Sequence, residues 1–125
     1  MNKPILDLSY LVDTSSGDTY YIYEVLTLFV ETFPVGLSNL ENLIRNTDDY
    51  CAIHRQAHSL KSSASVVQIR DVCEAISNID ALSREKKGKA EIILNLDIIL
   101  NNFNKALPLI QSERRKYLSS NMPSK

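Results

Sequence analysis

Apolar side chains recur along this chain at steps of three and four, the spacing that collects them on one face of a helix. No sustained alternation marks a strand. The pattern therefore predicts helices throughout. The opening segment to Asp13 has room for one short helix. Thr14-Ser15-Ser16-Gly17-Asp18 reads as a loop, with Asp18 placed to cap the next helix. A first main helix is predicted from about Thr19 to Phe33, burying Ile22, Val25, Phe29 and Phe33. Pro34 brings no amide N–H and suits a first helical turn, so it is expected to divide this helix from the next. Leu37, Leu40 and Ile44 then recur at helical spacing up to a loop near Asn46-Thr47.

The third helix has the most regular stripe: Tyr50, Ile53, Ala57, Leu60, Ala64 and Val67, with Asp48 or Asp49 as its cap. A fourth carries Ile69, Val72, Ile76 and Ile79 on one side. Arg84-Glu85-Lys86-Lys87-Gly88-Lys89 reads as a solvated connection. A long last helix starts near Ala90 and uses Ile92, Leu96, Ile99, Phe103, Ala106 and Ile110, with Pro108 expected to kink or end it. Short links between amphipathic helices predict an all-α fold. It is an antiparallel up-down-up-down four-helix bundle with one or more additional short N-terminal helices. One domain is expected over 1–125, its core bundle over about 34–117 and a polar, frayed tail over 119–125.

Composition narrows the classes of function. The 14 basic and 15 acidic residues nearly cancel, so no strong field points to nucleic acid or an anionic membrane. The N-terminus has no apolar run of signal-peptide length, and Thr27, Glu31, Thr32 and Pro34 break the longest apolar stretch well short of a membrane span. Cys51 and Cys73 lie outside any CxxC pattern and are expected as reduced core residues. The expected location is the cytoplasm. Met1 and the polar tail fit a free-standing protein, and a monomer suits a chain that presents one face to successive partners.

The third helix carries the chemistry. At about 100° per residue, His58 falls at the edge of the stripe through Ala57 and Leu60, where its ring can lean on the bundle and still meet solvent. His54 lies one turn before it, and Lys61, Ser62 and Ser65 come after it on the same side. Neutral imidazole is a competent nucleophile near neutral pH. A lysine three residues away can offset the charge of a phosphoryl group as a mobile point charge. Ser59, Ser62, Ser63 and Ser65 leave little bulk around the ring. His54, four residues from His58, is otherwise an ordinary surface residue. As a pair the two could ligate Zn²⁺, but the remaining ligands are hard to find.

Ala57-His58-Ser59-Leu60-Lys61-Ser62-Ser63-Ala64 resembles the signature of histidine-containing phosphotransfer (HPt) domains, which reads His-x-Leu-Lys-Gly followed by small residues. The likeness runs from the Leu-Phe-x-Glu-Thr-Phe-Pro stretch, Leu28 to Pro34, to the final helix. It implies that His58 takes a phosphoryl group from one receiver-domain aspartate and passes it to another, with Lys61 compensating the charge. Two positions depart from the pattern. Ser62 stands where the family has a glycine, and Gln68 corresponds roughly to a second one. Gln68 is read chiefly as a helix-start residue, with hydrogen bonding to the imidazole or its phosphoryl group as the alternative.

The resemblance implies a phosphorelay intermediate with no catalytic activity and no cofactor of its own. The Mg²⁺ belongs to the partner receiver domain. Response-regulator receivers and a hybrid sensor histidine kinase are the expected partners, with no role for nucleic acid or membrane. No Walker loop or kinase glycine loop is present, so self-phosphorylation from ATP has no recognisable route. Receiver contact is expected on the exposed side of the third helix and parts of its neighbours. The alternative is a module that docks on receivers without accepting phosphate.

Overall fold

A computed structural model describes residues 4–120. The expectations for Met1 to Lys3 and for positions 121–125 lie outside the described residues. Five helices succeed one another: α1 (Ser9–Thr14), α2 (Thr19–Asn46), α3 (Tyr50–Val66), α4 (Val72–Arg84) and α5 (Lys89–Ser120). The last four form a ring in which α3 packs on α2 and α4, and α5 packs on α4 and α2. No helix among the described residues is long and apolar enough to cross a membrane.

Two prolines expected to interrupt helices lie inside them. Pro34 sits within α2 and Pro108 within α5. A proline in a helix interior costs about 3 kcal/mol. Beyond Pro34, however, α2 still buries Leu37, Leu40 and Ile44, each worth about 1.5–3 kcal/mol when removed from water. Burial wins. The buried residues Ile22, Leu26, Phe29, Phe33, Leu37, Leu40 and Ile44 keep one phase along the whole helix. Bundle packing on this side thus begins at Thr19, well before the expected start near 34. At the other end α5 continues through Ser119 and Ser120, the first residues of the expected tail.

Helix ends obey local chemistry. The Asp18 carboxylate accepts from the Tyr21 amide at 3.1 Å, and the Asp49 carboxylate accepts from the Ala52 amide at 3.0 Å. Gly17, at φ +76°, turns the chain between α1 and α2 in a conformation that glycine adopts without steric cost. The Lys89 ammonium donates to the Thr47 carbonyl at 2.5 Å and pairs with Asp48 at 2.9 Å, fastening the start of α5 to the α2–α3 turn.

Two short strands also form, where the hydrophobic pattern predicts none. β1 (Leu6–Asp7) pairs antiparallel with β2 (Gln68–Ile69), Leu6 opposite Ile69 and Asp7 opposite Gln68. Gln68 therefore does not start a helix: β2 and a turn precede α4, which begins at Val72. The buried Asn102 donates to the Arg70 carbonyl at 2.7 Å, holding this connection against α5.

The core is continuous. Phe33 stacks on Phe29 with centroids 4.7 Å apart and meets Phe103 at 5.3 Å, joining α2 to α5. Between α2 and α3 the decisive position is Gly36, where a Cβ would stand 2.7 Å from Leu60 Cδ2. The missing side chain lets the helices approach, and Gln56 donates to the Gly36 carbonyl at 2.9 Å. Both cysteines are free and exposed, which corrects their expected place in the core. Cys51 is two positions off the stripe that Ile53 begins. Cys73 lies at the edge of α4, its thiol donating to the Ala64 carbonyl at 2.9 Å.

Candidate functional site

His58 stands on the outer face of α3 with 66% of its side chain exposed, one residue from the fully buried Ala57. Toward the C-terminal end of α3 its neighbours include several small side chains. Ser59, Ser62 and Ser65 are also exposed, while the exposed Arg55 stands one turn back on α3. Lys61, one turn on, is partly exposed, and His54, one turn back, is half-buried. The two imidazole centroids are 6.0 Å apart. Thus the helical spacing brings His54, His58 and Lys61 to one side, as the sequence predicts.

The group that joins them comes from the adjacent helix. Asp80 projects from α4 against α3 with a relative exposure of 1%. One carboxylate oxygen, Oδ1, lies 2.5 Å from His54 Nδ1. The other, Oδ2, is in contact with the Lys61 ammonium and stands 3.6 Å from both His58 Nδ1 and Arg84 Nη2. These are charge contacts; neither oxygen has a hydrogen bond of good geometry among the described residues. Burial pushes the Asp80 carboxyl up, but the Lys61 ammonium, His54 and His58 together outweigh it and hold the group below its ordinary value. It is a carboxylate sealed from water, held by the Lys61 ammonium with the Arg84 guanidinium nearby.

A lowered carboxyl value has a definite consequence for stability. Asp80 stabilises the fold fully above the unfolded carboxyl range and loses that contribution as pH falls through its lower folded value. The urea midpoint of the native protein is therefore expected to exceed that of Asp80→Asn at pH 6. The gap should narrow as pH drops below about 4. A gap that stays constant down to pH 2 contradicts this account.

The remaining candidates lie elsewhere. Ser65 donates to the Ser62 carbonyl at 2.7 Å, and Gln68 donates to the Ser65 carbonyl at 3.1 Å. Gln68 thereby satisfies a carbonyl at the C-terminal end of α3 that the helix itself leaves open, whereas the Ser65 hydroxyl bonds back onto its own preceding turn. Gln68 belongs to β2, more than two turns beyond His58, so the side chain beside the imidazole is Asp80 instead. Nor is His54 an ordinary surface residue, because its ring is bound to Asp80. Among the described residues, no group of three or more His, Cys, Asp or Glu side chains is arranged to hold a metal ion.

Spacing along α3 does not single out Asp80, although a signal for it exists. It follows Ile79 and lies one turn after Ile76, within the buried face of α4. A carboxylate there is costly unless a facing helix supplies cations. The surface beside the site is also distinctive. Tyr21, Val25, Leu28 and Thr32 of α2 line a groove with Ser62, Ser63 and Val66 of α3. Leu28 is 60% exposed, and Val35, farther along the same face of α2, is 61% exposed.

A family model described as the Hpt domain matches residues 24–107, more than half of the 125-residue chain. No curated protein and no solved structure gives a significant match.

Proposed function

The chain belongs to the Hpt domain family, and from that premise we propose that His58 is the residue on which it carries a phosphoryl group. Hpt domains are phosphoryl carriers, intermediates in phosphorelay signalling, and typically interact with receiver domains. The observation that carries the assignment is the exposed His58 ring, with the small Ser59 and Ser62 beside it and Lys61 and a buried carboxylate on its inner side.

Nε2 of His58 attacks the phosphorus of a receiver's aspartyl phosphate in line, and the reverse reaction hands the group to a second receiver. The receiver supplies the acidic pocket and Mg²⁺; this chain supplies the positioned nucleophile. Lys61 offsets charge on the phosphoryl oxygens. The small side chain of Ser62 leaves room for the receiver's active site to approach. His54 supports the site indirectly by occupying one oxygen of Asp80. Ser65 and Gln68 shape the end of α3. The groove between α2 and α3 offers the receiver a mixed apolar and polar docking surface, suited to moderate, exchangeable affinity.

Incubation with a panel of phosphorylated receiver domains in Mg²⁺ tests the reading. The expected result is acid-labile, alkali-stable phosphate on this chain from at least one donor. Docking on a phosphorylated receiver without acquiring such phosphate would instead mark a module that only binds.

A further inference from the structure

Asp80 faces His54, His58 and Lys61 from α3 and Arg84 from its own helix. Its two oxygens are in different situations. Oδ1 is engaged by His54 alone. Oδ2 is contested: Lys61 holds it, while His58 Nδ1 stands 3.6 Å away, too far for a hydrogen bond. A small rotation of the exposed ring would close that distance, but only if the lysine withdrew.

We propose that Asp80 is a positioning residue whose Oδ2 exchanges the Lys61 ammonium for the Nδ1–H of His58 when His58 is phosphorylated. The inference rests on His58 being the carrier. The attacking ring is neutral, with its proton on Nδ1 and its lone pair on Nε2. As the Nε2–P bond forms, the P–O bond to the receiver breaks and its electron pair leaves with the receiver's carboxylate. The ring keeps its Nδ1 proton and becomes cationic. Two attractions then change together. The new phosphoryl oxygens draw Lys61 outward, and the cationic ring is drawn inward to the oxygen that Lys61 vacates. The lysine three residues away and the carboxylate beneath favour the same movement.

The exchange matters for the outward step. When the P–N bond breaks, its electron pair returns to Nε2. The departing group is neutral imidazole only if Nδ1 still bears its proton; otherwise it is imidazolate, a far poorer leaving group. Asp80 thereby keeps the bound phosphoryl group transferable. A carboxylate that merely neutralised Lys61 would have no such effect.

Phosphoramidate loads the whole chain without a partner, and ring ¹⁵N spectra then report the protonation of His58 Nδ1 against pH. In phosphorylated Asp80→Asn, which keeps the shape and one acceptor oxygen but no charge, the deprotonation midpoint is expected about one pH unit or more below that of the phosphorylated native protein. Equal midpoints overturn the proposal. If the variant does not fold, the native protein decides against free Nε2-phosphohistidine: a higher midpoint in the protein supports the exchange, and an equal one removes it. Absence of phosphate on His58 of the native chain would overturn the carrier reading itself. That result is distinct from a loaded ring with an unshifted midpoint.

Discussion

His58→Gln is expected to lose all phosphate acceptance from phosphorylated receivers while folding like the native protein. Glutamine places an amide near the former imidazole, but the nitrogen's electron pair is delocalised into the carbonyl and cannot attack phosphorus. No other side chain in the cluster replaces it. Lys61 is a cation held by Asp80, and His54 directs Nδ1 at that same carboxylate. Stability should hardly change, because the His58 side chain is mostly in solvent and reaches Asp80 only at 3.6 Å. Surface substitutions of this kind usually stay within about 0.5 kcal/mol. Radiolabelled transfer and urea denaturation measure the two halves independently. Undiminished labelling of a well-folded His58→Gln protein would remove His58 from the mechanism.

Phe33→Ala is expected to have the largest effect on folding, about 3–5 kcal/mol. The side chain is 1% exposed and touches both Phe29 and Phe103. It also precedes Pro34, so it anchors α2 to α5 where the helix lacks one backbone hydrogen bond. Against a typical total stability of about 5–15 kcal/mol, the loss is severe. Phe33→Leu should cost much less, since most of the apolar volume remains. A shift of the urea midpoint equivalent to less than about 1 kcal/mol for the alanine variant would mean that α2 is held through Pro34 by other contacts.

The all-helical bundle is legible in the stripes because each buried residue repeats the phase of the one before. Ile53, Ala57, Leu60 and Ala64 are buried as expected, as are Ile92, Leu96, Ile99, Phe103, Ala106 and Ile110. The same logic, carried across Pro34, joins the two predicted helices into α2. Leu26, between Val25 and Phe29 in that pattern, is fully buried while Val25 is only partly so. The proline's local preference yields to a periodicity that runs through seven buried residues. Strands of two residues, by contrast, hold too little pattern to be seen, and β1 and β2 depend on segments far apart in sequence.

The candidate site is legible only on its own helix. His54, His58 and Lys61 share a face because helical geometry demands it. Asp80 reaches them from α4, and contacts between helices depend on packing and register that spacing within one segment does not specify. Gln68 shows the converse. A position plausible from its order in the chain is carried away from the ring by the turn after α3 and by pairing with Asp7. The cysteines show how narrow the margin is between core and surface. Cys51 and Cys73 sit within two residues of buried neighbours, and both remain exposed.

The little ribbon of β1 and β2 also sets where an attachment ahead of Leu6 would emerge. Leu6 is moored opposite Ile69, and the Arg70 amide donates to the Ile5 carbonyl at 2.9 Å. A dye or tether fused there would start from the rim where α3 gives way to α4, whatever the length of its leash. Its nearest landmark on the bundle would be the far end of the helix that bears His58, which makes this a natural vantage point for reporting a visitor's arrival.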